Sequence, residues 1–201
     1  MLRVGLTGGL GSGKSFVSAE LEKLGCHILK ADELGHAVLE PDGEAFAPVV
    51  AQFGAEILNA DGRVDRPKLG AIVFQDAEKL SLLNSLVHPH VIAREEAWMR
   101  QVEIAEPSAI AVIEAAILIE TGSYRRFDKL VLAVCGEEQQ IERAMARDGT
   151  PREQVLERLR RQMPLEEKKK FADFLIDTSH TPRDTIEQVR RLYATLRSLS
   201  V

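Results

Sequence analysis

The sequence predicts a three-layer α/β fold in which helices cover both faces of a parallel sheet. Three observations predict it. Five short apolar runs, at 2–7, 26–31, 109–114, 129–134 and 173–177, read as strands, and helix-like segments follow most of them. The first run leads directly into Gly8-Gly9-Leu10-Gly11-Ser12-Gly13-Lys14-Ser15, with the spacing Gly, four residues, Gly-Lys-Ser. Phe16, Val17, Leu21 and Leu24 then share one helix face, which Gly25 closes.

Strand, glycine-rich turn and helix N-terminus together make an anion site. Glycines let backbone N–H groups approach phosphates, and the helix dipole adds positive potential. The pattern predicts a phosphate-loop NTPase core whose nucleotide contacts are Gly9, Gly11, Ser12, Gly13, Lys14, Ser15 and Phe16. Lys14 would reach the β- and γ-phosphates, and the Ser15 hydroxyl would ligate Mg²⁺.

The bulk numbers narrow the function classes. The chain has 201 residues, 45% hydrophobic and 28% charged, which argues against disorder. A formal charge of −5 gives no general attraction to nucleic acid or to anionic membrane. No apolar run approaches membrane-spanning length, and the N-terminus lacks a signal-peptide pattern. Cys26 and Cys135 have no metal-ligand spacing and sit in or beside apolar runs, as buried free thiols of a reducing compartment do. The expected location is the cytoplasm.

The spacing of the strands is uneven. No strand is legible from Glu33 to about Pro107. Residues 65–74 and 76–87 look helical, with Leu80, Leu83, Leu86 and Val87 on one face, and 90–105 continues as a long amphipathic helix holding Trp98. The expected organisation is a core of 1–32, 107–136 and 172–201, a helical substrate-binding insertion of 33–106, and a lid of 137–171. The lid segment is rich in Arg, Glu and Lys with little core, so a solvated, mobile lid is expected. The last helix, 181–199, carries Asp184 and Glu187 early and Arg190, Arg191 and Arg197 later, which suits its dipole. Two insertions fit a small kinase: one holds the acceptor, and the other closes over the donor and excludes water.

Several side chains stand where chemistry would need them. Asp32 ends the second predicted strand, either as a base for an acceptor hydroxyl or as the N-cap of the next helix. Asp32-Glu33-Leu34-Gly35 also fits the short Asp-x-x-Gly element of GTPases, but no base-reading Asn-Lys-x-Asp accompanies it. Glu114 ends the third strand, placed to hold water on Mg²⁺ or to partner a basic side chain. Arg143 and Arg147 share a helix face at i, i+4, and Arg158 and Gln162 repeat the spacing. Of these, Arg147 is assigned to catalysis and Arg143 to the nucleotide, where guanidinium groups neutralise developing charge. Arg160, Arg161 and Lys168 to Lys170 read as a solvated face. His88-Pro89-His90 has no further ligand at zinc spacing and reads as a substrate contact or a helix-start turn.

Taken together, these residues resemble the dephospho-CoA kinase family over nearly the whole chain. Gly5-Leu6-Thr7-Gly8 through Ser15, Ala31-Asp32 with His36, and Asp61-Gly62 with Asp65-Arg66 carry the resemblance. So do Leu69-Gly70, Ile72-Val73-Phe74, Leu83-Asn84 with His88-Pro89, Ile117-Leu118-Ile119-Glu120, the four lid residues and Ala172-Asp173 with Ile176. The resemblance implies ATP-dependent phosphorylation of the ribose 3′-hydroxyl of dephospho-CoA, with Mg²⁺. It makes Asp32 the catalytic base and assigns Arg66, His88, Leu118 and Glu120 to the acceptor. The chain departs from the family pattern at Phe16, Lys30, Ala116, Thr178 and His180. Other phosphate-loop kinases, and a nucleotide-binding protein that transfers nothing, are the competing readings.

Overall fold

Continuous apolar runs are what strands need when helices cover both faces. The computed structural model describes residues 1–200 and contains one five-stranded parallel sheet in the order β2-β3-β1-β4-β5. β1 (Leu2–Gly8) is central, between β3 (Ile110–Glu114) and β4 (Lys129–Val134); β2 (His27–Lys30) and β5 (Phe174–Asp177) are the edges. The five expected strands are present within a residue at each end.

Side-chain alternation sorts the two faces. Leu2, Val4 and Leu6 join Val17 and Leu21 of α1 (Lys14–Lys23) and Val189, Leu192 and Leu196 of α9 (Pro182–Leu199) in one buried cluster. The alternate positions face the opposite layer. Arg3 pairs with Glu103 of α5 (Ala77–Ala105) at 3.9 Å, and a Cβ on Gly5 would meet Phe127, Leu118 and Leu130 at 2.9–3.0 Å. A capping box closes the start of α9: Thr181 Oγ1 accepts from Asp184 N, and the Asp184 carboxylate accepts from Thr181 N.

The chain divides into two compact units, Met1–Lys30 with Met99–Val201, and Ala31–Trp98. The second holds α2 (Ala31–Ala37), α3 (Phe46–Phe53), α4 (Arg66–Val73) and most of α5. Its core is Val38, Ala45, Val49, Phe53, Ile57, Leu69 and Val73, against which Leu80, Leu83, Leu86, Val87 and Val91 pack. Asp65 caps α4 by accepting from Lys68 N at 3.1 Å.

Two expectations are corrected. The helix-start turn at His88-Pro89-His90 does not form, because α5 runs unbroken through Pro89. An interior proline costs about 3 kcal/mol, but Leu86, Val87 and Val91 continue one packed face across it. The lid, α6 (Glu137–Asp148), α7 (Arg152–Arg160) and α8 (Leu165–Lys169), is not simply solvated. Ile141, Ala144 and Val155 are fully buried, and Leu10 of the phosphate loop packs with them. The lid's core looked too small from its own sequence because part of it comes from the loop. Among the described residues, no helix is long and apolar enough to cross a membrane.

Candidate active site

The Gly8–Ser15 loop joins β1 to α1 and is held open by glycine. Gly11 has φ 70°, and a Cβ there would stand 2.3 Å from the backbone oxygen of Gln140. Gly13, the N-cap of α1, has φ 83°, and its Cβ would press on Thr178 at 3.0 Å. Lys14 Nζ donates to Gly8 O at 3.0 Å and Gly9 O at 3.2 Å, so the ammonium arches over the loop. The buried Ser12 hydroxyl has no hydrogen-bond partner among the described residues, a donor left over at the point where an anion would sit.

β3 delivers Glu114 to the opening of α1. The sheet register sets Glu114 beside Leu6 on one side and Lys30 on the other. Glu114 is buried, 6% exposed, and its carboxylate accepts from Ser15 Oγ at 2.7 Å and from Ser18 Oγ at 2.6 Å. Ser18 was not legible as a site residue; the signal for it was its i+3 spacing from Ser15 on α1. Hydroxyls and a carboxylate are hard oxygen donors, the set that Mg²⁺ takes together with water and phosphate. Among the described residues no three His, Cys, Asp or Glu side chains are arranged to hold a metal ion by themselves.

The four lid residues part company. Arg143 donates from Nη1 to Thr178 Oγ1 at 2.9 Å and from Nη2 to Thr178 O at 2.7 Å. Thr178 Oγ1 in turn lies 2.9 Å from Ser12 O. Arg147 shares the helix face with Arg143 but grips Asp148 from Nε at 2.7 Å and Nη2 at 3.0 Å, and Arg158 reaches the same carboxylate at 3.3 Å. Those guanidinium groups hold the Asp148 carboxyl below its ordinary range, Arg147 most strongly. Gln162 lies beyond the end of α7, so it does not repeat the helical spacing of Arg158. Its Oε1 instead accepts from Leu10 N at 3.0 Å, while Gln140 Nε2 donates to Leu10 O at 2.9 Å.

Lys168 corrects another expectation. It is 1% exposed rather than part of a solvated face, and its Nζ lies 2.7 Å from Glu120 Oε1. Leu118 is buried at 3% and packs toward Gly5. Cys135 is buried and aims its thiol at Gly11 O, 3.7 Å away. Burial raises the Cys135 pKa, which leaves the thiol protonated.

In the second unit Asp32 lies in the first turn of α2, which already begins at Ala31. It is exposed and accepts no hydrogen bond from the described residues, and its place inside the first turn means it is not the cap. His36, one turn on, has its pKa lowered by burial and then by the Arg66 cation, against an opposite pull from Asp32, Glu33 and Glu40. Asp32, His36 and Arg66 therefore share one electrostatic neighbourhood. His88 is half-buried in α5, and that burial lowers its pKa.

The dephospho-CoA kinase family model matches residues 2–184. The chain belongs to the dephospho-CoA kinase family. A dephospho-CoA kinase of Carboxydothermus hydrogenoformans is 41% identical over 186 residues, covering 92% of this chain and 90% of that one. One from Thermobifida fusca is 38% identical over 197 residues, covering 98% and 97%. A solved Thermus thermophilus protein superposes with a TM-score of 0.82 at 31% identity, covering 96% of each chain. Dephospho-CoA kinases transfer phosphate from ATP to dephospho-CoA, and this chain has the three-layer α/β fold of phosphate-loop kinases.

Proposed function

We propose that this dephospho-CoA kinase seats ATP on Gly9, Gly11, Ser12, Gly13, Lys14, Ser15 and Phe16, uses Mg²⁺ at Ser15 and Glu114, and takes the acceptor proton on Asp32. The observation that carries the reading is the Ser15–Glu114 hydrogen bond of 2.7 Å at the mouth of the phosphate loop. It joins the loop's hydroxyl to a buried carboxylate at a strand end, the place where such enzymes hold the metal.

The division of labour follows from charge. Lys14 leaves its loop carbonyls and meets the β- and γ-phosphates. Ser15 and Glu114 would hold Mg²⁺, directly or through water; when bound, the ion neutralises phosphate charge. Asp32 accepts the proton of the ribose 3′-hydroxyl. The oxygen so freed bonds to the γ-phosphorus, the bond to the β–γ bridging oxygen breaks, and ADP leaves with that electron pair. Arg147 exchanges Asp148 for the transferring phosphoryl, and Arg143 flanks the nucleotide. Arg66, His88, Leu118 and Glu120 serve the acceptor, and the protein works in the cytoplasm as a small-molecule enzyme without nucleic acid or membrane.

Formation of CoA and ADP from ATP, Mg²⁺ and dephospho-CoA, read by chromatography, tests this. Asp32→Asn should lower kcat by about 10²–10⁴, the range for losing a general base. A loss below about tenfold would remove Asp32 from that role. AMP as acceptor should give little product.

A further inference from the structure

We propose that Glu120 is a positioning residue for phosphoryl transfer: paired with Lys168, it fixes the root of the lid and so sets where Gln162 meets the phosphate loop. The proposal rests on the kinase reading above and gives Glu120 a task distinct from touching the acceptor.

The contacts form a continuous path. Glu120 lies six residues past Glu114 on the chain leaving β3, so the sheet anchors it. Its Oε1 takes the Lys168 ammonium at 2.7 Å and also accepts from Met163 N at 3.3 Å. Met163 is bonded directly to Gln162, whose Oε1 holds Leu10 N at 3.0 Å. One carboxylate therefore grips the lid's returning strand of chain at two points, next to the residue that grips the loop. At the other backbone group of the same residue, Gln140 Nε2 donates to Leu10 O.

Packing does not fix this region by itself. A cavity of about 140 Å³ lies here, lined among others by Gly9, Gln140, Gln162, Met163 and Lys168. At the edge of that cavity the ion pair and the hydrogen bond from Met163 N tie the lid to the chain leaving β3. Stability alone gives no reason for the pair. A buried Lys–Glu pair is often no more stabilising than an apolar pair of similar volume, and here Glu120 Oε2 and Lys168 Nζ are both buried without a hydrogen-bond partner among the described residues, so charge alone joins the two side chains. The sequence accepts an unsatisfied carboxylate oxygen at the point where the lid is tied to the sheet, which is what a positioning device requires.

The test uses the full chain as wild type, E120Q, K168M, E120Q/K168M and Q162A. Each is measured for kcat, both KM values, thermal midpoint, and tryptic cleavage after Arg160 and Arg161 with ATP and Mg²⁺ present. K168M should melt lowest, because a buried carboxylate loses its cation. The double variant should regain the wild-type Tm to within about 2 °C, since uncharged partners replace a charged pair at similar volume. It should nevertheless keep kcat about tenfold or more below wild type, the scale of a misplaced contact, with KM for ATP changed less than about threefold and faster cleavage at the lid root. A double variant with wild-type kcat and wild-type cleavage overturns the proposal. Q162A breaks no charge pair, so it remains informative if the charge variants do not fold. It should lower kcat about fivefold or more, and a wild-type kcat there also overturns the proposal. A wild type that forms no CoA would refute the kinase reading instead, and the cleavage rates would still decide whether Glu120 and Lys168 anchor the lid.

Discussion

Thr178 and Glu114 show how single side chains tie distant parts of the loop together. Thr178 Oγ1 accepts from Arg143 and bonds to Ser12 O across 166 positions of sequence. Thr178→Val keeps the shape and removes both bonds, each contributing about 0.5–1.5 kcal/mol. KM for ATP should rise about three- to tenfold, while Thr178→Ser stays close to wild type; equal KM values for the valine variant would detach Arg143 from nucleotide binding. Glu114→Gln keeps an acceptor for Ser15 or Ser18 but removes the charge. If Glu114 holds Mg²⁺ as proposed, the Mg²⁺ concentration for half-maximal rate should then rise about tenfold or more, because the site loses a carboxylate charge. The same residues mark the limit of what was legible. Lys14, Ser15 and Glu114 were readable because the loop motif and the strand end are local patterns. Ser18, Gln140 and Lys168 were not, because their partners lie far along the chain: Ser18 and Glu114 are 96 positions apart, and Gln140 and Leu10 are 130 apart.

At the scale of elements, the phosphate loop and α2 put two glycines to opposite uses. Gly11→Ala would drive a Cβ to within 2.3 Å of the Gln140 backbone oxygen, at a φ of 70°. Backbone cannot step aside as a flexible side chain can, so the variant should lose nucleotide binding and melt lower, by about 2–4 kcal/mol from overpacking and left-handed strain together. Gly35 lies inside α2, where a Cβ would meet nothing within 4 Å. Gly35→Ala should therefore stabilise the second unit by about 0.5–1 kcal/mol, read as a higher denaturant midpoint. Elements were the most legible level. Apolar period located every strand and most helices, and Thr181 with Asp184 announced the start of α9. Periodicity failed at Pro89, where proline argued locally for a break and the packed face across it prevailed. It failed also in the lid, whose core borrows Leu10 from another element.

Across the whole molecule, charge state sets the acid limit of stability. Burial lowers the pKa of His88 and, with Arg66, that of His36. Unfolded histidine takes its proton near pH 6.5, and these folded ones take it lower. Below about pH 6.5 the unfolded chain thus binds more protons, and stability falls as pH drops. The thermal midpoint should decline between pH 7.0 and 5.5, and His88→Gln should flatten the decline; an unchanged slope would discharge His88 from this role. Asp177 and Asp184 are held below the carboxylate range by bonds to Ser179 and Thr181. Their contribution is present above about pH 4 and is lost only below it.

The central place of β1 has a consequence for how the chain is made. β1 needs two neighbours that are made after it, since Leu2–Gly8 pairs with Ile110–Glu114 and Lys129–Val134. Every buried member of the second unit's core lies between Val38 and Val73. That unit can assemble before β3 is made, while the apolar β1 stays unpaired until Ile110–Glu114 has emerged. At about 5–20 residues per second, this exposes Leu2, Val4 and Leu6 for several seconds in each round of synthesis, a window in which nascent-chain chaperones would find their substrate.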